Sequence, residues 1–163
     1  MVRQKGFSLI ELLIVVAIIL IIAAIAIPNL LRARMAANEA SAVGSTRTIN
    51  TAEVTYSSAY PEVGFTLTLS NLAGPTATCS GGSGATSAQS CLIDNVLGSG
   101  TKSGYTFALA NGGSTTTPQN TYTISASPLT IGSSGQRGFF SNQTGVIRYN
   151  QSGTATSTDK PLQ

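Results

Sequence analysis

The side chain with the most chemistry in this chain stands where a charge is costly. Glu11 lies in Gly6-Phe7-Ser8-Leu9-Ile10-Glu11, and from Phe7 to Ile27 only Glu11 and Ser8 are strongly polar. A carboxylate inside a membrane helix costs about 2.5–3.5 kcal/mol even on permissive insertion scales, so a residue of this kind is expected to have a use. That use is not catalysis. The chain has no histidine, which removes the commonest general base together with every Ser-His and Cys-His pairing. Its six acidic residues are spread thinly, and no two have a reason to converge as a glycosidase pair. Neither a phosphate loop nor a calcium-loop spacing is present. The expectation is a protein that is not an enzyme and takes no cofactor.

Cys79 and Cys91, the only two cysteines, stand twelve apart in a Gly/Ser-rich stretch. With two cysteines and no histidine a structural zinc site would lack ligands, so no metal is expected. In an oxidising, exported compartment a close pair reads as a disulfide, with two free thiols as the alternative. Closing a loop of this size contributes about 3 kcal/mol in the chain-entropy description. Asn142-Gln-Thr144 and Asn150-Gln-Ser152 match the glycosylation sequon, a tripeptide that also arises often by chance.

The 21 residues from Phe7 to Ile27 would make a helix roughly 31 Å long, enough to cross the hydrocarbon core. They are apolar on all faces, as a membrane span or a filament core requires. Pro28 removes the bond that its missing N–H would give to Ala24 and predicts a kink or a locally melted turn. Residues 29–60 read as an amphipathic helix: Met35, Ala42, Ile49 and Tyr56 recur every seven, with Ala52 and Ala59 beside them, while Arg32, Glu39, Arg47 and Glu53 supply charge. Gly44 is its weak point, and Pro61 marks its end. From Phe7 to Tyr60 a continuous helix would run about 80 Å.

The stretch 61–104 is a long connection, which is usually functional or disordered. Leu67, Leu69 and Leu72 offer a short apolar contact, residues 81–84 are flexible by composition, and Ala88 to Leu97 predicts a short helix carrying Cys91 and closed by Gly98. After Gly104 the period drops to two. Strands are expected at 105–109, 121–126, 137–140 and 146–149, with Asn111-Gly112-Gly113 as a turn. The fold class is therefore α+β, a long N-terminal helix packed on a four-stranded antiparallel sheet.

Lys5-Gly6-Phe7-Ser8-Leu9-Ile10-Glu11-Leu12-Leu13, continuing to Pro28, resembles the class III signal of type IV pilins and of the pseudopilins of type II secretion. The resemblance covers about the first 60 residues, and residues 136–150 are more weakly similar to the C-terminal hairpin of pilin-like proteins. It implies a leader of residues 1–6 cut by a prepilin peptidase between Gly6 and Phe7, and methylation of the Phe7 amine. It further implies that residues 7–28 form a transmembrane and filament-core helix, while periodicity divides the rest into an amphipathic helix at 29–60, a connecting loop with a short helix at 61–104 and the sheet with its tail at 105–163. Glu11 would pair with the Phe7 amine of a neighbouring copy during filament assembly, and Pro28 matches the proline of the family's first helix.

The implied partners are other copies of the chain in a homopolymeric filament, the peptidase, the inner-membrane assembly machinery and, before assembly, the membrane itself. The implied location is the bacterial inner membrane for the precursor and then an extracellular pilus at the cell surface.

Charge adds little to this. Without Arg3 and Lys5 the chain keeps 7 basic and 6 acidic residues, so the pI of about 9.1 does not point to nucleic acid as a partner. Flanking charges are nearly balanced across the apolar run, Arg3 and Lys5 against Arg32 and Arg34. Two alternatives stand beside the pilin reading. A type II pseudopilin would use the same mechanism, but the major one carries a calcium site near its C-terminus, where this chain has only Asp159. A secreted binding domain with an ordinary signal peptide would be cut after Ala24-Ile25-Ala26 and released from Ile27 onward. The unbroken apolar run Leu12–Ile27, with Glu11 at its head, is slightly long for that.

Overall fold

The computed structural model describes residues 7–75, 79 and 84–162. The expected leader, with Gly6, and most of the Gly-rich stretch at 81–84 lie outside these residues. The chain divides into two compact units, Met1–Arg34 and Met35–Gln163.

One helix, α1 (Leu9–Ala59), runs through both units, and its helical pattern is unbroken at Pro28. No turn melts there. In the first unit every large apolar side chain of the helix is exposed, from Leu9 at 78% to Val16 at 46%, and the helix is long and apolar enough to cross a membrane. Arg32 and Arg34 close this unit, both exposed.

In the second unit α1 lies on an antiparallel sheet of six strands, not the four expected. The order is β1 (Thr101–Lys102), β2 (Tyr105–Asn111), β3 (Tyr122–Pro128), β4 (Gly138–Asn142), β5 (Arg148–Asn150) and β6 (Lys160–Pro161), each paired with the next. The two extra strands are the edges. Each is two residues long, too short to show a period of two. β1 and β2 are joined by Ser103 and Gly104, at φ 51° and 74°, the positive pair that a tight hairpin with right-handed twist requires.

Alternation is clean on β3, where Tyr122, Ile124, Ala126 and Pro128 are buried. They meet Tyr105, Phe107 and Phe139 from the flanking strands and Ala42, Ile49, Ala52 and Tyr56 from α1 in one core. Met35 is only half-buried and Ala59 is exposed, so the helical stripe docks through its middle turns. Glu39 and Glu53, expected to supply charge to the amphipathic helix, are buried.

The connection after α1 also differs from expectation. Tyr60 O accepts from the amides of Val63 and Gly64, with Gly64 at φ 79°, and Leu69 and Leu72 are buried in a single turn, α2 (Leu69–Leu72), while Leu67 stays exposed. The helix predicted over 88–97 is reduced to α3 (Asn95–Gly98), capped by the Asp94 side chain on the Leu97 amide at 2.8 Å. Cys91 is not on it. Its φ is 56°, and the amides of residues 90–93 are taken by carbonyls of Asn71, Leu72 and Ala73, which ties this stretch to residues 71–73 instead of into a helix.

Candidate functional site

Phe7 and Glu11 stand at the start of α1. Ser8 precedes the first helical residue and Glu11 is the third within it, so Ser8-Leu9-Ile10-Glu11 has the spacing of a capping box. The Ser8 amide donates to Glu11 Oε2 at 2.9 Å, and the Leu12 amide donates to Ser8 O at 3.3 Å. Glu11 thus satisfies one of the donors left open at the helix start, and its charge lies where the helix dipole favours an anion. The capping role is written locally in the sequence as Ser-x-x-Glu, the signal that finds it.

Phe7 is 76% exposed, and Glu11 is exposed beside it. Gly6, the other half of the expected cut site, lies outside the described residues. From Leu12 to Leu31 the helix offers bare apolar surface on all sides, far more than a soluble monomer leaves uncovered. The carboxylate is therefore the polar mark at one end of a surface that needs a covering.

The other expected site residues sit in the second unit. Cys79 and Cys91 are joined in a disulfide with a Cα–Cα distance of 5.5 Å. It packs on Gly74, where an added Cβ would lie 2.8 and 2.9 Å from the two sulfurs. At the C-terminus the Asp159 carboxylate accepts from the Thr156 amide at 2.7 Å, from Thr156 Oγ1 at 2.9 Å and from Asn150 Nδ2 at 2.8 Å. Those bonds hold it below the ordinary carboxylate range, the Thr156 amide foremost. Among the described residues no group of three or more Cys, Asp or Glu is placed to hold a metal ion.

Sequence reasoning missed a clamp. Glu39 Oε1 accepts from the amides of Gln136 (2.9 Å) and Arg137 (3.0 Å), and Oε2 accepts from Arg137 Nε at 2.7 Å. Asn38 Nδ2 donates to Ser134 O at 2.8 Å alongside. The Arg137 guanidinium also lies over the rings of Phe139 and Tyr149, at 5.7 and 5.6 Å from their centroids. Together these bonds fix the segment between β3 and β4 onto the first turns of α1 in this unit. The partners are nearly one hundred residues apart, so no local pattern signals them.

The class these features define is an α+β protein whose N-terminal helix carries an uncovered apolar surface headed by one carboxylate. A family model described as the prokaryotic N-terminal methylation motif matches residues 1–27. The chain is also similar to the type IV wide pilus major component of Thermus thermophilus, 68% identical over 37 residues, which is 23% of this chain and 28% of that protein. The match therefore spans under a third of that relative's length. No solved structure matches the chain. The motif, the relative and the helix-on-sheet fold support a place among the type IV pilins and prepilins.

Proposed function

We propose that the chain is the prepilin of a type IV pilus and works as a structural subunit rather than as an enzyme. The observation that carries this reading is Glu11, a lone carboxylate at the head of an exposed apolar helix, four residues after Phe7 of the Gly6-Phe7 junction in the methylation motif. Cleavage by a prepilin peptidase after Gly6 and methylation of the new amine leave Phe7 at the start of the mature chain. Glycine suits the junction, since without a side chain it lets the peptidase reach the backbone.

Before assembly, the apolar part of α1 holds the subunit in the bacterial inner membrane, with Ser8 meeting part of Glu11's demand for donors. During assembly, lipid is replaced by the helices of other copies. Glu11 meets the Phe7 amine of a neighbour, which offsets the desolvation of both charges and sets the axial register, a role for which buried polar groups are well attested. The assembly machinery of that membrane delivers the subunits, and the polar, Ser/Thr-rich second unit supplies the outer wall of an extracellular pilus.

The test is Glu11→Ala. Breaking one partner of a buried pair costs about 3–5 kcal/mol, repeated at every subunit, so processing and membrane level should persist while filaments vanish. Electron microscopy of sheared surface material, with membrane levels followed by immunoblot, reads both. Normal filaments at normal abundance would show that the carboxylate is not the register device.

A further inference from the structure

Glu53 is fully buried on the sheet-facing side of α1, and its Oε1 is the buried side-chain nitrogen or oxygen left without a hydrogen-bond partner among the described residues. Its Oε2 has one donor, the Thr66 amide at 3.0 Å. An ionised carboxylate has room for about four donors, and a single amide does not stabilise a charge in an apolar core. The titratable groups facing it are Tyr56 from α1 and Tyr122 from β3, both raised by burial foremost and in smaller part by its charge. Neither is a cation, and no basic side chain contributes at Glu53.

What hangs on the single bond is larger than the bond. Thr66 Oγ1 accepts from the Thr68 amide at 3.3 Å and from Asn71 Nδ2 at 3.1 Å. Asn71 O in turn accepts from both the amide and the hydroxyl of Ser90 at 2.8 Å. Next to it Leu72 O takes the amides of Leu92 and Ile93. Glu53 is thus the inner end of a run of hydrogen bonds holding residues 66–73 and 90–93 against the core. A separate hold lies outside it, between residues 63–65 and Gln119.

We propose that Glu53 is a protonation latch: neutral, it keeps residues 66–73 and 90–93 closed on α1, and ionised, it leaves the core and lets that connection open while α1 and the sheet stay folded. Burial first of all, against the weaker opposing effect of the Thr66 amide, pushes its carboxyl up to about 8 from an ordinary 4.5. The sign follows from linkage. The closed state keeps its proton after the open state has lost it, so the latch is strongest below about pH 4.5. Opening is favoured about tenfold more per pH unit from there to about pH 8, and levels off above.

Amide hydrogen exchange of the full-length chain in detergent, at several values between pH 5 and pH 9, tests this against Glu53→Gln, which is neutral at every pH. The wild-type-to-variant ratio cancels the intrinsic pH dependence of exchange. It should rise about tenfold per pH unit in peptides covering 66–73 and 90–93, flatten above about pH 8, and stay constant in β3 and β4. A ratio independent of pH, or one rising equally in β3 and β4, overturns the latch. Should Glu53→Gln fail to fold, an infrared titration of the wild-type chain decides instead. The band of a protonated carboxyl must persist to about pH 8 and disappear as the same segments open, and a band lost below pH 5 overturns the proposal.

Discussion

Glu39→Ala removes an acceptor that three donors share, and its cost can be assembled from the structure. The side chain is 9% exposed, and its loss leaves the amides of Gln136 and Arg137 without their partner. An unsatisfied buried donor costs about 1–3 kcal/mol, with the lower end applying because both amides lie in a partly buried segment. The ion pair adds less, since the Arg137 side chain is 37% exposed and such pairs contribute about 0–1 kcal/mol. A loss of about 2–3 kcal/mol is expected.

Glu39→Gln keeps an oxygen for the two amides and loses only the charge, so about 1–1.5 kcal/mol is expected, the difference between charged and neutral hydrogen bonds. Chemical denaturation of the full-length protein in detergent, followed by near-ultraviolet circular dichroism of the tyrosines, measures both. The ranking also depends on pH. Burial works to raise the Glu39 carboxyl, but the Gln136 and Arg137 amides and the Arg137 guanidinium outweigh it and hold it below its ordinary 4.5. The stability it contributes is present in full above about pH 4.5 and is lost as the pH falls through the lowered value. The gap between wild type and Glu39→Ala must therefore narrow in acid. A loss under about 0.5 kcal/mol at pH 7, or a glutamine variant weaker than the alanine one, would refute the clamp.

Other substitutions test the remaining pieces of the second unit. Gly74→Ala should destabilise by about 1–3 kcal/mol, the usual cost of overpacking, because its methyl meets both sulfurs of Cys79–Cys91; thiol titration of the oxidised protein should reveal incomplete pairing. Replacing both cysteines by serine should cost about 3 kcal/mol from the freed loop, read as a lower denaturation midpoint that reductant no longer changes. Asp94→Ala removes the cap of α3 and should cost about 1 kcal/mol, whereas Lys102→Ala, which breaks the exposed pair at 2.8 Å, should cost under about 0.5 kcal/mol. Equal effects would mean that the ion pair, rather than the cap, holds α3.

What could be read from the chain was whatever is written locally. The apolar run, its glutamate and the Gly6-Phe7 junction are contiguous, and the alternation of Tyr105, Phe107, Tyr122, Ile124 and Ala126 marks central strands by period alone. Edge strands of two residues carry no period, which is why β1 and β6 went unseen. The predicted helix over 88–97 failed because Cys91 is drawn to its disulfide partner, and because residues 90–93 find carbonyls at 71–73 to bond. Both are non-local choices that override propensity. In the sequence Glu39 and Glu53 read only as the charge of an amphipathic helix, since a carboxylate is seldom buried unless partnered. Their partners are Gln136 and Arg137 for one and the Thr66 amide for the other. A backbone amide thirteen residues away leaves no trace in sequence.

The assignment to pilus assembly rests on where the mature chain begins, and the mass of intact subunits taken from sheared surface filaments reads that directly. A chain that starts at Phe7 and carries one additional methyl group on its amine is the expected result. A product that starts at Ile27, recovered from the medium without filaments, would contradict it and make the chain a secreted domain released from an ordinary signal peptide.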